Sequence, residues 1–173
     1  MKSAIFVCFS VVVFSLAFGQ KATKNFHEVE EGKLYRSGQF HRRNISTLQD
    51  GYEIGLILNL RNWINDSYEV KGTNIKEYRV RMRAKRIMDS DVIEALKVIV
   101  NSSKPVLVHC YHGSDRTGCI VACYRMVVQM WPREEAIAEF EKKELGYNEA
   151  FFPNIRNYLE KVDIESLRKA ISQ

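Results

Sequence analysis

The sequence predicts a single α/β domain, a mainly parallel sheet flanked by helices, and three features carry that expectation. Two apolar runs, residues 54–60 and 106–109, are nearly uninterrupted and too short for helices. A strand buried on both faces of a parallel sheet reads in this way. Helical spacing of apolar residues occupies 92–100, 119–130 and 133–145, so strand and helix patterns alternate along the chain. A length of 173 residues, 46% hydrophobic and 27% charged, suits one domain with a substantial core and argues against wholesale disorder.

Met1, Lys2 and Ser3 precede an apolar stretch over 4–18, the charged start and short greasy centre of a secretory signal. Ala17 and Gly19 offer small residues for cleavage before Gln20. The expectation is a signal peptide over 1–19 and an exported protein, periplasmic or secreted, with no stable membrane insertion once the signal is removed. An uncleaved anchor is the alternative, but the apolar core falls short of the roughly 20 residues a span requires. Residues 20–33 are polar and weakly patterned, a lead-in to a domain over 34–173. There, 34–36 reads as a short edge strand ending in a Ser37-Gly38 turn, and 45–49 as a helix closed by Asp50-Gly51.

Residues 54–60 are the first buried strand. Residues 75–83 alternate, with Tyr78, Val80 and Met82 on a face that packs on the core and Arg79, Arg81 and Arg83 on the other. Lys85 and Arg86 continue that positive strip. It either steers a substrate with several negative groups or protects a solvated strand face. Asp89 is the expected N-cap of the next helix, with Asp91 in its first turn. After the 119–130 helix, Pro132 opens another, whose stripe of Ala136, Ile137, Phe140 and Leu145 is expected to cover the sheet. Residues 148–172 supply one or two more helices, packing through Phe151, Phe152, Ile155, Tyr158, Leu159 and Val162.

The chemistry concentrates between the strand at 106–109 and the helix expected to begin at Arg116. A helix N-terminus presents amides without intrahelical acceptors and the positive end of its dipole, so the loop between them is an anion site. Gly113 permits a backbone turn that brings successive N–H groups inward. The same surroundings favour the thiolate form of Cys110, a nucleophile. Arg116 offers a planar fork matching two phosphoryl oxygens, Thr117 a hydroxyl near the sulfur, and Gly118 a close approach of helix to loop.

His109-Cys110-x5-Arg116-Thr117-Gly118 resembles the signature of cysteine-based protein tyrosine phosphatases, in their compact dual-specificity-like branch, and the fuller string is similar to that of small exported bacterial members. Residues 34–39 (Leu-Tyr-Arg-Ser-Gly-Gln) and 124–132 fit the same group. The resemblance covers roughly residues 34–147. It implies a four- to five-stranded sheet and hydrolysis of phosphate monoesters through a phosphocysteine, with protein phosphotyrosine as the expected substrate and no metal or other cofactor. Cys110, Arg116 and Thr117 are then catalytic, and Tyr111, His112, Gly113, Ser114, Asp115 and Arg116 bind the phosphate. Phosphoinositides or inositol phosphates are the alternative substrates, although the loop carries no lysine. From another class, the chain could be a phosphate-binding module with weak catalysis.

The resemblance also locates a departure. Where members place an aspartic acid that protonates the leaving oxygen, after an alanine, this chain has Lys85 after Ala84. Asp89, Asp91 and Asp115 are the substitutes, although capping accounts for the first two and an outward-facing salt bridge for the third. His109 reads as a core histidine holding the loop backbone, Tyr111 as pocket rim, and His112 as either a substrate contact or a loop support. Arg61 reads as a surface residue, with a second anion contact as its other possible role.

Composition narrows the remaining classes. A net charge of +5 favours anionic partners, but no Lys/Arg block interleaved with aromatics points to nucleic acid. Of the four cysteines, Cys8 leaves with the signal, and Cys110, Cys119 and Cys123 are an odd number that argues for a free thiol. Cys119 and Cys123, one helical turn apart, read as buried filler. A zinc site from Cys110, His112, Cys119 and Cys123 lacks a Cys-x2-Cys pair and would consume the loop.

Overall fold

The computed structural model describes residues 23–173, so the signal expected over 1–19 lies outside the described residues. Five strands, β1 (His27–Glu30), β2 (Leu34–Ser37), β3 (Leu56–Asn59), β4 (Lys76–Arg79) and β5 (Val106–His109), form one sheet in the order β1-β2-β5-β3-β4. β5 is its centre, with parallel partners β2 and β3 on either side. β4 continues the parallel set beyond β3, and β1 adds an antiparallel edge to β2. Register places Ser37 and Asn59 both opposite His109, so polar residues align where the parallel strands end. The loops leaving those ends share one side of the molecule, the side on which open α/β sheets bind ligands.

The described residues hold six α-helices, α1 (Ser67–Val70), α2 (Asp89–Val100), α3 (Asp115–Val127), α4 (Arg133–Phe140), α5 (Pro153–Lys161) and α6 (Ile164–Ile171), of which all but the one-turn α1 were expected from the sequence. α3 lies against β2 and β5, and α2, α4, α5 and α6 surround it. Every residue of α3 except Arg116 is buried, so its one partly exposed side chain is the arginine singled out by sequence. β5 divides its apolar residues between two cores. Val106 and Val108 join the helices, while Leu107 meets Tyr35, Phe40, Ile45, Leu48, Ile54, Ile57 and Ile75 under the helical turns of residues 42–52. Among the described residues, no helix is long and apolar enough to cross a membrane.

Several local expectations change. β2 is interior rather than an edge, because residues 27–30 of the polar lead-in pair with it as β1. Tyr78 does not pack on the core. It is largely exposed on the edge strand β4 and donates its hydroxyl to Glu94, whereas Val80 and Met82 are buried as predicted. The stripe of α4 packs on α3 and α5 instead of the sheet, since α3 already occupies that face. Phe151 is 71% exposed, leaving Ile155, Leu159 and Val162 to hold the C-terminal helices. Asp89 is the first residue of α2 rather than its cap, which is Met88.

Candidate active site

The loop after β5 is built around Gly113. Its φ of +77° is open to glycine, and a Cβ there would stand 2.4 Å from the Gly38 nitrogen, so no side chain fits for two separate reasons. The turn carries the chain back so that the Gly113 N–H donates to Cys110 Sγ at 3.3 Å. The residues after β2 brace the loop from outside, with Gln39 N donating to the Tyr111 carbonyl at 3.0 Å. α3 then starts at Asp115, one residue before the expected Arg116, and the Ser114 carbonyl accepts the Gly118 N–H at 2.7 Å. Cys110 is buried at the base of this turn.

Arg116 projects from the first turn of α3 and donates from Nη1 to the Leu60 carbonyl at 3.1 Å, which fixes its fork beside the loop. Thr117 is buried in the same turn and its Oγ1 has no partner among the described residues. Arg36 comes from β2 behind the loop and donates from Nη2 to the Gly113 carbonyl at 2.7 Å. Burial, the larger influence, lowers its pKa to about 10 against the opposing charges of Glu139 and Cys110. Gly118 leaves room chiefly for Phe140 of α4, because a Cβ would meet that ring at 2.8 Å; the expectation that it serves the loop is corrected accordingly.

Beneath the loop lies a buried polar network that the sequence did not signal. Asp66, in the segment before α1, accepts from His109 Nε2, Asn59 Nδ2 and Gln39 Nε2, each at 2.7 Å. His109 Nδ1 faces the Cys110 carbonyl at 3.1 Å, so this histidine holds the loop backbone as expected. Gln39 passes the network outward, accepting from Arg61 Nη1 at 2.6 Å. Burial alone would raise the Asp66 carboxyl; the His109 and Gln39 hydrogen bonds and the Arg61 charge outweigh it and hold the group below the usual carboxylate range.

A cleft of about 640 Å³ opens over the loop. Arg61, Trp63 and Ile64 reach it from the end of β3, Met82, Arg83 and Lys85 from the end of β4, Tyr111, His112, Asp115 and Arg116 from the loop, and Phe152 from before α5. Arg61 is therefore a cleft residue and not merely a surface one. Tyr111 forms the rim as expected, 55% exposed with the Arg61 guanidinium 5.3 Å above its ring. Arg83 and Lys85 bring the positive strip to the opening, while Arg81 is exposed outside it. Trp63, Ile64 and Phe152 were missed because only tertiary structure brings such scattered apolar residues to one opening.

The three carboxylates weighed as proton donors separate. Asp89 accepts from the Tyr158 hydroxyl at 2.8 Å, tying α2 to α5, and neither it nor Asp91 lines the cleft. Burial raises the Asp91 carboxyl, with the charge of Glu94 adding to the effect. Asp115 does line the cleft, but it makes no outward salt bridge. It is buried, and Oδ1 accepts the Asn148 N–H at 3.2 Å because the loop before α5 folds over the start of α3.

Comparison with known proteins identifies the family and the fold. The model of the tyrosine phosphatase family matches residues 22–172. Inositol diphosphatase DSP3 of Arabidopsis thaliana is 33% identical over 85% of this chain and 74% of its own length. Dual specificity protein phosphatase TpbA of Pseudomonas aeruginosa is 27% identical, covering 80% of this chain, which spans 63% of that relative. The crystal structure of TpbA superposes with a TM-score of 0.78 at 26% identity, covering 87% of this chain and 92% of that one. A cysteine-to-serine form of TpbA has been crystallised with phosphotyrosine. The catalytic core of the PP-IP phosphatase SIW14 of Saccharomyces cerevisiae superposes with a TM-score of 0.73 at 27% identity, covering 87% and 92% of the two chains.

Proposed function

The chain belongs to the tyrosine phosphatase family, and from that premise we propose that it hydrolyses phosphate monoesters through Cys110, with protein phosphotyrosine as substrate. The observation that carries the reading is the approach of the Gly113 N–H to Cys110 Sγ at 3.3 Å, in the loop whose Tyr111, His112 and Arg116 line the cleft. Sγ attacks phosphorus, an S–P bond forms as the ester P–O bond breaks, and the leaving oxygen departs. Water then attacks phosphorus, breaks the S–P bond and releases phosphate. Arg116 and the loop amides take up charge on the equatorial oxygens. The unpartnered Thr117 hydroxyl is available to the sulfur as it leaves.

The choice of substrate follows from the proton donor. Lys85 occupies the place of the expected acid, and the one carboxylate in the cleft, Asp115, is engaged by Asn148. General acid catalysis is worth about 10²–10⁴ in rate. Without it, a tyrosine oxygen with a pKa of about 10 leaves far more readily than a serine alkoxide. The apolar walls of Trp63, Ile64 and Phe152 suit an aryl ring.

A second reading takes an inositol diphosphate as substrate. Arg61, Arg83 and Lys85 at the opening favour a polyanion, and DSP3 and SIW14 carry that activity in their names. An anhydride bond expels a phosphate, which also leaves without a donated proton, so both readings obey the same constraint.

Purified protein assayed on a phosphotyrosine peptide, the matching phosphoserine peptide and an inositol diphosphate separates the alternatives, with Cys110→Ser as control. Phosphotyrosine turnover about 10²–10⁴-fold above phosphoserine is expected. Comparable rates on the two peptides would mean that an efficient acid is present. Preference for the diphosphate selects the second reading, and phosphate binding without turnover reduces the chain to a binding module.

A further inference from the structure

Arg36 is buried at an unusual cost for a residue outside the reacting set. It is 3% exposed, its Nε has no partner among the described residues, and Glu139, the carboxylate whose charge reaches it, ion-pairs with Arg125 instead. A buried guanidinium without its own counter-ion is expensive. The position achieves the orientation of one peptide group. Gly113 donates its N–H to Cys110 Sγ at 3.3 Å, while its carbonyl accepts from Arg36 Nη2 at 2.7 Å.

The peptide joining Gly113 to Ser114 is trans, so its carbonyl oxygen and the Ser114 N–H point in opposite directions. Holding the carbonyl against Arg36 therefore turns the Ser114 N–H away from Arg36. The glycine that makes the turn possible offers little resistance of its own to rotation of this peptide. A rotated peptide would set a carbonyl oxygen against the anion in place of an N–H donor.

We propose that Arg36 is a positioning residue of the catalytic loop, clamping the Gly113 carbonyl so that the Ser114 amide faces the bound phosphoryl oxygens. A lysine is not equivalent, because its ammonium is a strongly hydrated point charge on a flexible stem, whereas the planar guanidinium is more weakly hydrated and better suited to a buried contact. This role rests on the phosphatase reading above, since it assumes that the loop holds a phosphoryl group.

The test compares wild type, Arg36→Lys and Arg36→Ala for kcat and KM on p-nitrophenyl phosphate and for the inhibition constant of tungstate, with thermal melts alongside. Folded variants should show KM and the tungstate constant raised about 10- to 100-fold, the scale of one lost hydrogen bond to a charged group. Arg36 borders a solvent-open cavity of about 170 Å³, so added guanidinium should partly restore tungstate affinity in Arg36→Ala. Folded variants whose tungstate constant stays within about twofold of wild type overturn the proposal. If neither variant folds, the Ser114 amide resonance of wild type decides: a shift on adding tungstate is expected, and an unmoved resonance overturns the clamp. A wild type that binds tungstate without turnover defeats the phosphatase reading alone, and one that does neither defeats both.

Discussion

Asp66 is buried without an Arg or Lys partner, and its stability rests on three donors converging at 2.7 Å. Burial pushes the carboxyl up, but the hydrogen bonds from His109 and Gln39 prevail and its folded pKa lies below the ordinary value. Its contribution is therefore fully present above the unfolded pKa of about 3.9 and is lost as pH falls through the lower folded value. Asp66→Ala should cost about 3–5 kcal/mol at pH 7, because it strands the His109, Asn59 and Gln39 donors. Urea titrations from pH 7 to 3 check this, with the gap to wild type constant down to about pH 4 and narrowing below it. An unchanging gap across that range would remove the ionised carboxylate from the account. At this scale Cys110, Arg116 and His109 were legible because their chemistry is local to one loop. Asp66 and Arg36 were not, since an aspartate before α1 and an arginine in β2 carry no local mark of burial.

Between helices, Phe140 of α4 packs closely over Gly118 of α3. Adding a methyl group at Gly118 puts it 2.8 Å from the ring, and overpacking of this kind costs typically about 1–3 kcal/mol. Gly118→Ala should lower the melting temperature, and Gly118→Ala with Phe140→Leu should recover part of the loss. Calorimetry of the single and double variants checks it, and additive losses would mean that the contact is not the source. α2, α3 and α4 were visible as periodic apolar stripes, and β3 and β5 as unbroken apolar runs. β1 was missed because an antiparallel edge strand needs few apolar residues, and β2 was misplaced as the edge for the same reason. α4 was assigned to the sheet because periodicity shows that a helix has an apolar face without showing what covers it.

For the whole molecule, the net charge of +5 is less informative than its placement. Arg61, Arg83, Lys85 and Arg116 line one cleft in which, among the described residues, the buried Asp115 is the only carboxylate. Salt should therefore weaken a polyanionic or acid-flanked substrate more than p-nitrophenyl phosphate. Arg83→Glu with Lys85→Glu should raise KM for the former several-fold with little change for the latter, as measured between 0.05 and about 0.5 M salt. Equal salt slopes for both substrates would leave the strip as edge protection. The sequence by itself determined the alternation of strands and helices, the strand–loop–helix junction after β5 and the presence of Cys110 and Arg116 in that loop, because these depend on periodicity and on neighbours within a few residues. Tertiary structure alone decided what stands behind and around that loop: the Arg36 clamp, the Asp66–His109 support, the aromatic rim and the seclusion of Asp89 and Asp91 from the cleft. Those residues lie far apart in the chain, 77 positions in the case of Arg36 and Gly113, and parallel pairing fixes which of them meet.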